Sequence, residues 1–195
     1  IPEYAHLFAQ NTTEITGNNL KILCLSSFGL VIVMIAGCIT CQLISGARVR
    51  SPVYIFDAVL FLSMGIISLF KTNRNSRFVI VSIIIQENTL LASSVILDIF
   101  LKRQDLPSTI FPLSLVLASF FYIVIPVYHR IMAFAWTAAF ITIDLLLKTH
   151  DIFLYDLINI LAIYLACSIV GNISNKARIA ELETKRRLMF QRDTD

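Results

Sequence analysis

Charge is scarce in this sequence. Asp, Glu, Lys and Arg make up 15% of 195 residues while 57% are hydrophobic, and the mean hydropathy is +0.78. That balance excludes a water-soluble domain with a polar surface and places the chain in a bilayer. Nucleotide and hydrolase motifs are missing too: there is no P-loop, H-E-x-x-H, G-x-S-x-G or Rossmann glycine pattern, and catalysis within these residues is not expected. The three histidines, His6, His129 and His150, are too dispersed for an obvious metal triad. A net charge of +3, with basic residues scattered before Lys176, gives no footprint for nucleic acid. The order of a signal peptide is also absent, and a chain that opens on Ile1 reads as a segment of a longer protein.

Long apolar runs are what the sequence has in abundance. They extend over Leu20–Ser45, Val53–Phe70, Phe78–Leu101, Ile110–Tyr128, Ile131–Leu147 and, after Lys148-Thr149-His150-Asp151, on to Gly171, each close to the roughly 20 residues a membrane helix needs. Short links between them force antiparallel neighbours. The expected fold is all-α, a polytopic bundle of six transmembrane helices. Pro52 opens the second helix, while Pro112 and Pro126 shorten or bend the fourth. Three regions follow: a polar segment at 1–19 with at most a short interfacial helix, the six-helix domain at 20–171, and a cytoplasmic helix at 172–195.

The tail sets the expected orientation. With it in the cytoplasm, an even number of spans leaves the N-terminus there too. The inner side then collects Lys21, Lys71, Arg74, Arg77, Arg130 and six tail cations, against Arg48, Arg50, Lys102, Arg103 and Lys148 outside.

From Asn172 to Arg192 hydrophobicity collapses, but neither proline nor glycine interrupts a run of good helix formers. Glu181 precedes Lys185, and Glu183 precedes Arg187, by four residues, the favourable direction for intrahelical pairs. Ile179, Leu182, Arg186 and Met189 take heptad-like positions and make a short, imperfect seam for a parallel homodimer. The stretch from Ala177 to the closing Leu188-Met-Phe-Gln-Arg-Asp-Thr-Asp195 resembles the signalling helix that leads into a GGDEF diguanylate cyclase domain, with Asp195 at the aspartate before that family's L-T-G-L turn. The six spans resemble, in architecture, the membrane sensor modules preceding such cyclases. The resemblance implies an inner-membrane sensor, a homodimer, and an output domain that uses GTP and Mg2+ to make cyclic di-GMP. The present residues need no cofactor of their own. The same architecture would serve a class III adenylyl cyclase anchor or a histidine kinase sensor, and the alternative of another class is a small transporter or channel whose intramembrane acids form a translocation path.

Acids inside the apolar runs are the candidate site: Asp57, Glu87, Asp98, Asp144 and Asp156. At mid-membrane each costs at least about 2.5 to 3.5 kcal/mol unless compensated. Asp98 and Asp144 precede Lys102 and Lys148 by four residues, within reach of local pairing, whereas Glu87, Asp57 and Asp156 have no local partner. Glu87, Leu91, Ser94 and Asp98 form one stripe that must turn inward, with Asn88 beside it. Asp57, Asp98, Asp144 and Asp156 fall in the outer half of four helices, with Tyr155 and Asn159 nearby. Together they suit a cationic or amine-bearing small molecule, a lipid, a divalent metal or protons, or else act as interhelical hydrogen bonds. Cys38 and Cys41 have C-x-x-C spacing, but Gly37, Cys41 and Ser45 also make a small-residue row for close helix packing, as do Ala162 and Ala166. Tyr54, Tyr128, Tyr155 and Trp136 fit interfacial anchoring.

Overall fold

The structure, a computed structural model, describes residues 2–44, 48–70, 76–101, 106–121 and 126–192; side chains at 2–19, Ile22, Ser76, 120–127 and most of those beyond Ile173 lie outside the description. Every regular element among the described residues is helical. The order is α1 (Pro2–Leu43), a 3-10 turn (Arg48–Arg50), α2 (Ser51–Phe70), α3 (Ser76–Val95) closed by a π turn (Ile96–Phe100), α4 (Ile110–Phe121), α5 (Pro126–Leu147) and α6 (His150–Arg192). Five helical segments are long and apolar enough to cross a membrane: Leu23–Leu43, Arg48–Phe70, Arg77–Phe100, Tyr128–Leu147 and His150–Ile173.

Three expectations change. The segment at 1–19 holds more than a short helix, because α1 runs through it from Pro2. Proline fits a first helical turn, and nothing between Glu3 and Thr16 breaks a helix. The fourth run does not extend to Tyr128: α4 ends at Phe121, and α5 begins at Pro126, which lacks the N–H to continue a helix but is preset to start one. The 12 described residues of α4 span about 18 Å, and α4 is not among the five segments long enough to cross a membrane. The third correction concerns Ala162 and Ala166, which are not buried against another helix of this chain as a packing row would be.

α3 is the hub. One heptad-spaced stripe, Val79, Ile83, Gln86, Leu90 and Ser93, faces the α1–α2 hairpin: Val79 and Ile83 pack on Leu23, and Leu90 packs among Leu30, Val31, Met34 and Phe61. A second stripe faces α4, α5 and α6, with Leu91, Val95 and Ile99 in one core with Phe111, Leu115, Ala133, Phe140 and Ile160. Phe111 and Phe140 stack there with ring centroids 4.3 Å apart. The π turn adds a residue to the helix, carried by a bond from the Leu101 N–H to the Ile96 carbonyl, so that Leu97, Asp98 and Ile99 are buried in succession. Within the hairpin, a Cβ at Gly37 would lie 2.7 Å from the Tyr54 ring, so the small-residue row holding Gly37 and buried Cys41 allows a close approach of α1 and α2. All four cysteines are free thiols.

Candidate functional site

At the end of the bundle where α3 and α5 finish and α4 and α6 begin, four helices bring polar groups together. Asp98, on the π turn, accepts from the Phe111 N–H at 2.7 Å and from the Thr109 N–H at 3.1 Å. It thereby caps the N-terminus of α4 from another helix, supplying acceptors and negative charge where the first-turn amides have neither. Asp156, in the second turn of α6, accepts from the Ser108 N–H at 2.9 Å. Lys148, in the two-residue link between α5 and α6, places its ammonium among Asp156 Oδ2 at 2.5 Å, Ser108 Oγ at 2.6 Å and Asp144 Oδ1 at 2.9 Å. The Lys148, Asp144 and Asp156 side chains are each only 1% exposed.

An ammonium cation so deeply buried survives only because it is multiply paired. Burial works against the charge on Lys148, but the hydrogen bond to Asp156, the close ion pair with Asp144 and the charges of both carboxylates outweigh it and hold its pKa above the ordinary 10.5. The space between Asp144 and Asp156 is therefore filled by the chain's own ammonium. Among the described residues, no three or more His, Cys, Asp or Glu are grouped to hold a metal ion. Arg50 ties the hairpin to the same end through an Nε donation to the Leu101 carbonyl at 2.9 Å.

The other candidates lie elsewhere. Glu87 is 2.6 Å from His129 Nδ1, and His129 Nε2 is 3.4 Å from Ser119 Oγ, a chain linking α3, α5 and α4. Asn88 accepts from Trp136 Nε1 at 3.0 Å and donates to the Ile84 carbonyl at 2.8 Å, with Tyr128 OH at 3.4 Å. Trp136 is thus a partner inside the bundle rather than an interfacial anchor. Asp57 faces α3 alone, accepting from Ser93 Oγ at 2.8 Å.

Asp98, Asp144 and Asp156 are thus brought together, while Asp57 and Glu87–Asn88 form separate contacts. Tyr155 is 58% exposed and points out of the bundle. Asn159 is half-buried and takes no part in the described network. The Asp98–Lys102 pairing involves Lys102, which lies outside the described residues, as do the side chains of Ile179, Leu182, Arg186 and Met189 and the pairs of Glu181 and Glu183. Residues that sequence reasoning misses are Ser108, Ser93 and His129, whose only signal there is that each acid needs some partner.

Compared with known proteins, the chain matches no family model, no curated protein and no solved structure.

Proposed function

We propose that this chain is the sensing and relay part of a membrane signalling protein, in which the packing of the helical bundle sets the position of α6 and α6 carries that state to a cytoplasmic output domain. The observation that carries the reading is the continuity of α6. One helix of 43 residues, about 64 Å long, runs without interruption from the Lys148–Asp156 lock to Arg192. A rigid helix with one end fixed in a polar junction and the other past the apolar span transmits rotation or displacement; a jointed one does not.

In this reading the chain crosses an inner membrane six times, the fourth along the apolar run Ile110–Tyr128 that begins with α4, with both termini cytoplasmic. The seam at Ile179, Leu182, Arg186 and Met189 joins two copies. The output domain is a diguanylate cyclase, which uses GTP and Mg2+ and needs two catalytic domains to meet. The stimulus is a small cationic molecule, a lipid or a membrane state that acts on the acids of the bundle, and it shifts a population between two packings.

Register-shifting insertions test it. One to four residues inserted after Asn175 in the full-length protein turn whatever follows by about 100° per residue. Cyclic di-GMP formed from GTP by isolated membranes is expected to rise and fall with that phase. Equal output from all four insertions would overturn the relay, and no cyclic di-GMP from the unaltered protein would overturn the cyclase assignment.

A further inference from the structure

Asp57 stands apart from every other acid of the bundle. It is 0% exposed, Oδ1 accepts the Ser93 hydroxyl at 2.8 Å, and Oδ2 is buried with no hydrogen-bond partner. Among the residues whose side chains are described, the ionisable groups on the elements packed against α2 are Lys21, Cys24, Cys38 and Cys41 on α1, Arg48 and Arg50 in the 3-10 turn, Arg77 and Glu87 on α3 and Asp98 on the π turn, with Tyr54 one turn away on α2 itself. None of the described cations pairs with Asp57; Arg50 is directed to the Leu101 carbonyl. Its surroundings are apolar: Phe61, Leu90, Leu30 and Met34 form the adjoining core.

An ionised carboxylate with one hydrogen bond and no counter-charge is among the costliest groups to bury in a bilayer, whereas the neutral acid leaves only a single hydroxyl unsatisfied. The second polar member of the hairpin-facing stripe of α3, Gln86, is in a like position: it is 0% exposed, and its Nε2 has no partner. Among the described residues, the interface between the hairpin and α3 thus lacks a group placed to neutralise a charge on Asp57.

We propose that Asp57 is a proton-binding site: its carboxyl is held un-ionised at neutral pH, with Oδ1 as the carbonyl that accepts from Ser93 and the proton on Oδ2, and this proton is what lets the α1–α2 hairpin seat on α3. The inference does not depend on the relay reading. Because the folded protein holds a proton that the unfolded chain releases, raising the pH favours the unfolded chain.

Infrared difference spectroscopy of the reconstituted full chain at neutral pH tests it. The wild type minus Asp57→Asn spectrum is expected to show one carbonyl band of an un-ionised carboxylic acid that moves to lower frequency in D2O. Ser93→Ala is expected to keep the band and move it to higher frequency, since the carbonyl loses its hydrogen bond, and this variant serves even if Asp57→Asn does not fold. Thermal stability of the wild type is expected to fall between mildly acidic and mildly alkaline pH more than that of Asp57→Asn. A carboxylate band in place of the acid band, or no response of the acid bands to Ser93→Ala, would overturn the proposal.

Discussion

Lys148 joins three parts of the bundle through one ammonium group. It touches Asp144 on α5, Asp156 on α6 and Ser108 before α4, so removing it strands two buried carboxylates. Lys148→Met is expected to cost about 3 to 5 kcal/mol, and adding Asp156→Leu to recover part of that loss, because a neutral pair needs no compensation. Reversible unfolding in detergent measures the cycle; additive losses would mean that the two groups do not interact. The sign of the pH dependence follows from the raised pKa of Lys148. Its contribution is complete below the unfolded value of 10.5 and disappears only as pH climbs through the higher folded value. An alkaline titration is therefore expected to show a loss of stability that Lys148→Met lacks. Of these contacts only Asp144–Lys148 can be read from spacing. Asp156 and Ser108 reach Lys148 across 8 and 40 residues, and no local periodicity encodes such pairings. The same holds for Glu87 and His129, 42 residues apart.

Helix boundaries are legible in the sequence where charge or proline marks them, and less so where the apolar runs join. Pro126 signals a disturbance of the fourth run, yet hydropathy alone carries that run on to Tyr128. In α3 the stripe through Glu87, Leu91, Ser94 and Asp98 is visible because its acids stand out, and all four are buried. The neighbouring stripe through Val79, Ile83, Gln86, Leu90 and Ser93, about 100° around the helix, is not, because in a helix buried on two sides apolar periodicity loses contrast. Two glycines separate close packing from mere helix weakness. Gly37 lies against Tyr54, so Gly37→Ala must displace the ring and is expected to loosen the hairpin, lowering the unfolding temperature. A Cβ added at Gly171 would meet nothing within 4 Å, so Gly171→Ala is expected to stiffen α6 and to stabilise by about 0.5 to 1 kcal/mol. Equal effects of the two substitutions would contradict this distinction.

Taken as a whole molecule, the bundle is a hairpin of α1 and α2 seated on α3, with α4, α5 and α6 on the other side of α3. Among the described residues its two halves are tied by few polar contacts: Asp57 with Ser93, Ser26 with Gln86 at 3.4 Å, and Arg50 with the Leu101 carbonyl. α6 leaves this assembly as an unbroken rod, and the proposed relay depends on its stiffness across Gly171–Asn175. Pulsed electron spin resonance between labels at the exposed positions Ile158 and Thr184, in a chain whose native cysteines are replaced, measures that stiffness directly. A continuous helix gives one narrow distribution centred near about 39 Å. A broad distribution, or one centred well below that distance, would contradict the rigid relay.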